Sequence, residues 1–198
     1  MKEETSVMKG PPLSLRFLLC DITGNVGDFA LANDEWVSSP IQCLDKAVDT
    51  DPNFIVIRFG QMPFGECEAL VELGIALKRN SHTQKCPILA LLHSKHRKLL
   101  EDLGQAGVDF VKYVGETALD STRIRTILEG LGPDDRLDRH LKEVCAYLRY
   151  SVVESQHELA ACGAYLDRLV LGSRQLNAIC KTENHLQCEY FLNPRLKS

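Results

Sequence analysis

From Pro40 to Gly130 the chain alternates short, almost wholly apolar runs with amphipathic stretches of helical length. "FIVIRF", "CPILALL" and "VDFVKYV" lack a polar face, which is the pattern of strands buried on both sides in a parallel sheet. Between them lie "GECEALVELGIALKRN", ending in basic residues and Asn as the helix dipole favours, and "SKHRKLLEDLGQAG", with glycine at its end. "STRIRTILEGLG" supplies a last helix with Ser121 as its N-cap. Upstream, "LSLRFLLCDI" reads as a first buried strand and Trp36-Val37 as a short one. "PIQCLDKAV" has helical spacing and is closed by the Asp51-Pro52-Asn53 turn. Strands that alternate with helices of this length, joined by right-handed crossovers, make an α/β fold: a parallel sheet with helices on both faces.

The chain divides into a polar leader (1–12) closed by Gly10-Pro11-Pro12, the α/β domain (13–131), and a cysteine-rich segment (136–198). The boundary falls at Gly132-Pro133-Asp134-Asp135, and "RLDRHLKEVCAYL" beyond it is predicted to be a helix. A length of 198 residues has room for one ordinary domain and a small appendage. The net charge of -4 offers no basic face for phosphates, so nucleic acid is not an expected partner. No apolar run approaches the roughly 20 residues of a membrane helix, and the start has no signal-peptide stretch, so the expected location is cytoplasmic. Thiols stay reduced there, which turns eight cysteines toward metal or catalytic use and away from disulfides.

"FIVIRFGQMPFGECEALVELGIALK" resembles the third strand, Met-Pro turn (Met62-Pro63), glycine (Gly65) and following helix of response regulator receiver domains. "PILALLHSKHRKLLEDLGQAGVDFVKYV" is similar to the fourth-to-fifth-strand region of that family, with Ala106-Gly107-Val108-Asp109 at its Ala-Gly-Ala-Asp. The resemblance covers residues 13–131 and implies a flavodoxin-like, receiver-like fold. That family holds magnesium with an acidic pair after the first strand; here the pair falls on Cys20 and Asp21, leaving one residual carboxylate. The phosphoacceptor position falls on Phe59, which has no nucleophile. The hydroxyl position falls near Leu92, with Ser94 two residues on, and no Lys-Pro follows the fifth strand, although Lys112 is nearby. A single Asp is a poor magnesium site. The resemblance thus implies a degenerate pseudo-receiver that scaffolds a protein partner of a signalling system or forms a homodimer. Fewer than forty residues separate Asp21 from Phe59, so the family's first helix is expected to be shortened or lost.

Cys145, Cys162, Cys180 and Cys188 form a second motif, spaced by sixteen, seventeen and seven residues. Four thiolates suit a structural zinc or an iron–sulfur cluster. Sulfurs sharing one zinc lie within about 4 Å of one another, whereas Cys180 and Cys188 on one straight helix would stand about 12 Å apart. A shared site therefore requires "KTENH" (181–185) to break the helix, with Thr182 or Asn184 capping a new one. The segment also resembles a small four-cysteine module of bacterial proteins, through Cys145-Ala146-Tyr147-Leu148 and Cys188-Glu189-Tyr190-Phe191. Ala146 and Glu189 stand where that module places proline. His157 or His185 could replace a thiolate at zinc; the alternative is four buried thiols without metal.

Cys20, Cys43, Cys67 and Cys86 lie in or beside apolar patterns and are expected to pack the core, with Cys20 placed at a strand end where a thiol could react. His82, His93, His96 and His140 show no ligand spacing, and "SKHRKLL" reads as a solvated basic face. The leading expectation is a non-catalytic signalling or regulatory adaptor that senses redox state or metal. A rival lies in Glu72-Leu73-Gly74-Ile75-Ala76, which is similar to the Glu-x-Gly-x-Ala helix of nucleoside deoxyribosyltransferase-like enzymes, where the glutamate attacks the sugar. A metal-free interaction domain is a further alternative.

Overall fold

The computed structural model describes residues 15–24, 27, 34–61, 64–115, 118–154, 157–166 and 169–195, without the side chains of 64–66, 154 and 157. The leader and Met62-Pro63 lie outside them.

Five strands form one parallel sheet: β1 (Phe17–Asp21), β2 (Asp34–Val37), β3 (Phe54–Phe59), β4 (Ile88–Leu92) and β5 (Phe110–Tyr113), in the order β2-β1-β3-β4-β5. β1 and β4 are buried at every residue, as their unbroken apolar runs demand. Alternate side chains feed two cores. Leu18, Cys20, Ile55, Ile57, Ile88 and Ala90 point to the face covered by α1 (Pro40–Thr50), α2 (Phe64–Arg79) and α3 (Arg97–Gln105). Phe17, Leu19, Val56, Leu89 and Leu91 point to the other, covered by α4 (Ser121–Glu129) through Ile124 and Leu128. Helices on both faces of a parallel sheet in 2-1-3-4-5 order make this the flavodoxin-like fold. Arg125 of α4 also makes a two-armed ion pair with the buried carboxylate of Asp34, tying the helix to edge strand β2. Of the segment between β1 and β2, Ile22–Gly24 and Gly27 are not helical and the remainder lies outside the described residues.

Two caps sharpen the reading of the sequence. Asp120, not Ser121, caps α4, its side chain accepting from Arg123 N–H at 2.8 Å. Ser39 caps α1, with Pro40 opening the helix.

After a 3₁₀ turn (Pro133–Asp135), α5 (Leu137–Glu143) stops short of the predicted helix. Its last carbonyls explain why. Arg97 donates to the backbone oxygens of Leu141 (2.6 Å) and Val144 (2.8 Å), and Val144 is already extended. The chain then builds a small antiparallel sheet that helical periodicity did not foretell: β6 (Leu148–Glu154), β7 (His157–Cys162) and β8 (Leu169–Val170). It ends in α6 (Ser173–Gln175) running into a π-helical turn (Leu176–Cys180), a second 3₁₀ turn (Glu183–Gln187) and α7 (Glu189–Leu192).

The first buried cluster runs on from the sheet into this segment, taking in Val144, Cys145, Leu148, Ala160, Cys162 and Cys180. The boundary turn itself lies along β5: Arg136 bridges Phe110, and Leu137 N–H bonds Asp109 C=O. That contact covers the open edge of the sheet. Among the described residues no helix is long and apolar enough to cross a membrane.

Candidate functional site at the carboxyl edge of the sheet

In a 2-1-3-4-5 sheet the topological switch lies between β1 and β3, and the crevice outside the strands' carboxyl ends is where such folds bind ligands. A cleft of about 250 Å3 opens there, lined by Thr23, Arg58, Phe59, Gly60, His93 and Val114, among others. Asp21 ends β1 and is fully buried beside it. β3 pairs Asp21 with Arg58, and the guanidinium donates to Asp21 Oδ2 at 2.8 Å. Oδ1 accepts twice from Thr23, from N–H at 2.8 Å and from the hydroxyl at 2.6 Å. The carboxylate that a receiver would offer to magnesium thus already faces a fixed cation. Phe59, onto which the sequence resemblance puts the phosphoacceptor position, is 2% exposed and packs into the core.

The other residues that carry the sequence resemblance make structural contacts. Lys112 bonds Asp135 in the boundary turn at 2.6 Å. Gly107 has φ +79°, the left-handed region glycine favours, and a Cβ there would meet Lys78 Cγ at 3.2 Å. Asp109 accepts from Lys78 Nζ (2.8 Å) and Ile88 N–H (2.9 Å), so the Ala-Gly-Val-Asp match serves to lock α2, β4 and β5 together.

The stretch "SKHRKLL" differs from its expected solvated face. Lys95 pairs with Glu143 at 2.7 Å, Arg97 holds the end of α5, and His96 Nε2 meets Glu158 Oε2 of β7 at 3.0 Å. Lys98 alone of the four is exposed, pairing with Asp102 along α3. The His96 ring stacks on Tyr150 of β6 at 3.8 Å. Its Nδ1 accepts the Leu99 N–H as the cap of α3, so that nitrogen carries no proton and Nε2–H donates to Glu158. The contact is a hydrogen bond from a neutral imidazole. Burial lowers the His96 pKa below its ordinary value, against the opposing pull of Glu158. Here the appended segment completes a second, smaller cleft of about 90 Å3, lined by Phe59, Cys67, His93, Ser94, His96 and Glu158 among others.

Glu72 is exposed on α2 and is not among the residues lining either of these two clefts. Cys20, Cys43 and Cys67 are buried in the first core cluster. Contact with Cys20, then burial, drives the Cys43 pKa far upward. Cys86 is half-buried, its thiol donates to Pro52 C=O at 3.2 Å, and burial pushes its pKa to about 11.

Cys145, Cys162, Cys180 and Cys188 come from four separate segments. Cys145 follows α5 and its N–H bonds Cys180 C=O at 2.8 Å. Cys162 ends β7 opposite Leu148, whose own N–H returns to Cys145 C=O. Cys180 closes the π-helical turn. "KTENH" then breaks the helix, with the Thr182 hydroxyl accepting from Asn184 N–H, and Cys188 starts α7. Burial, then the backbone contact of Tyr147 and the charges of Cys162 and Cys188, act on Cys145, whose pKa is raised. Burial followed by the other three thiols pushes Cys180 to about 12. Among the described residues no three His, Cys, Asp or Glu side chains form a group that could hold a metal ion. His185 is turned toward the Thr182 carbonyl through Nδ1 at 2.7 Å. The His157 side chain lies outside the described set.

The signal for the Asp21 partner was present in "FIVIRF". A lone arginine inside a buried strand requires a counter-charge, and the adjacent first strand ends in one.

No protein-family model matches the chain, and no curated protein matches it. Among solved structures it is similar to a response regulator from Desulfuromonas acetoxidans, with 23% identity and a TM-score of 0.39, over 59% of this chain and 98% of that one. The fold assignment rests on the strand order of the sheet itself.

Proposed function

We propose that the protein is a non-catalytic signalling or regulatory adaptor: a pseudo-receiver that presents a protein-binding surface and takes no phosphoryl group. The observation that carries this reading is the Arg58–Asp21 pair. Arg58 supplies from within the chain the positive charge that magnesium would bring, and Phe59 fills the place of the nucleophile with packed hydrocarbon. Lys112, the one lysine near the end of β5, is spent on Asp135. A phosphoryl donor would find neither a metal to orient it nor an oxygen to receive it. The four-cysteine segment, clamped against the same edge of the sheet, is where a redox or metal input would reach such an adaptor.

Incubation with acetyl phosphate and magnesium, followed by intact-mass measurement, tests the reading. The expected result is no added phosphoryl mass. A hydroxylamine-sensitive phosphoryl adduct on Asp21 would overturn it.

A further inference from the structure

We infer that the smaller cleft, which Glu158 of the appended segment completes, is the pocket for an arginine side chain of a protein partner. The inference rests on the adaptor reading and gives its partner a chemistry.

Size limits the occupant first. The cleft of about 90 Å3 has room for about three waters at about 30 Å3 each. Pockets for cofactors and drug-sized molecules run to about 300–1,000 Å3. The end of one side chain fits such a space, and a whole cofactor does not. Charge then fixes the sign of the occupant. Glu158 brings a carboxylate to walls that include Phe59 of β3, Leu92 of β4 and Leu99 of α3. His96 meets that carboxylate as a neutral imidazole, because its Nδ1 accepts the Leu99 N–H and its Nε2–H is the donor. The hydrogen bond therefore leaves the negative charge in place. The nearby cations of "SKHRKLL" are committed elsewhere: Lys95 to Glu143, Arg97 to Glu101 and Lys98 to Asp102. Among the described residues no lysine or arginine pairs with Glu158, Lys181 included, although Lys181 lies within electrostatic reach of His96.

The Glu158 side chain is 27% exposed, so a partner can reach it, while the cleft walls shield it enough to strengthen an ion pair over one at an open surface. Guanidinium is more weakly hydrated than ammonium and forms planar hydrogen bonds to carboxylate, which suits a partly dry, apolar-walled cleft. Val152, opposite Glu158 in the β6–β7 register and so on the same face of the hairpin, is 70% exposed. An aliphatic stem laid across Val152 would deliver its charged end to the cleft.

The full chain is titrated with Nα-acetyl-arginine methylamide and followed by amide and imidazole NMR. Saturable shifts are expected at Ser94, His96, Val152 and Glu158. Nα-acetyl-citrulline methylamide, neutral and nearly the same shape, should bind about tenfold more weakly, equivalent to about 1.4 kcal/mol. Glu158→Gln keeps an acceptor for His96 Nε2–H and should lose the preference for arginine, with far-UV circular dichroism confirming the fold. If that variant fails to fold, the arginine–citrulline comparison on the unmodified chain still decides. Equal affinity for the two probes, or an arginine preference that survives in folded Glu158→Gln, would overturn the inference. Methylguanidinium binding as tightly as the arginine probe would assign the cleft to a small free cation and overturn the partner side chain. Acetyl phosphate labelling reads Asp21 and this titration reads Glu158, so failure here is distinguishable from failure of the adaptor reading.

Discussion

Arg58 and Asp21 form a buried ion pair with side chains 5% and 0% exposed, so each depends on the other for its charge to be tolerated. Removing one partner leaves an uncompensated buried charge, at a cost of about 3–5 kcal/mol. Arg58→Leu should therefore lower the urea midpoint strongly, and adding Asp21→Asn should recover much of the loss. Equal destabilisation by the single and the double variant would contradict the pairing. His96 is the second residue with a defined state. Its Nδ1 must stay unprotonated to cap α3, and burial lowers its pKa. The unfolded chain binds that proton first, so the contribution of His96 to stability falls as pH drops below about 6.5. A histidine NMR titration should find the His96 midpoint below the ordinary imidazole value of about 6.5, and a midpoint above it would contradict the assigned tautomer.

At the scale of elements, α3 ends on Gly107, with Val108 N–H reaching Leu103 C=O and Gly107 N–H reaching Gly104 C=O. Gly107→Ala should cost about 1 kcal/mol or more, since φ is positive and Lys78 is close; an unchanged thermal midpoint would contradict this. The glycine was legible as a helix stop because the signal is local, and the buried strands were legible because apolar runs need no partner to be recognised. The β6–β7 hairpin was not. Its inward positions include small residues, Ala160 and Cys162, and its tip exposes Val152 and Val153, so the two-residue alternation is faint. "SKHRKLL" was misread for a related reason. Its partners Glu143 and Glu158 lie 48 and 62 residues downstream of Lys95 and His96, beyond any window of local pattern. The cysteine spacing set a condition, a break at "KTENH", that local capping chemistry then met at Thr182.

Across the whole molecule the two halves are joined by polar contacts: Lys95 and Lys112 pair with Glu143 and Asp135, the neutral His96 donates to Glu158, and Arg97 donates to two carbonyls at the end of α5. Burial would raise the pKa values of Glu143 and Asp135. The hydrogen bond and charge of Lys95 for Glu143, and of Lys112 with the Gly132 N–H for Asp135, outweigh it and lower both. Carboxylates with lowered folded values contribute stability above the ordinary range near 4 that is lost as pH falls through it. Acid should therefore loosen the junction before the parallel sheet, read as faster amide exchange in β6 and β7 while β1, β3 and β4 stay protected; simultaneous loss of protection would contradict a separable junction. In the proposed reading, Arg58 stands at the sheet's carboxyl edge where a receiver would hold magnesium. A magnesium and beryllofluoride titration followed by amide NMR tests it most directly. No saturable shifts are expected at Thr23, Arg58 or Gly60; saturable shifts at these residues, with release of Arg58 from Asp21, would contradict the proposed role of the pair.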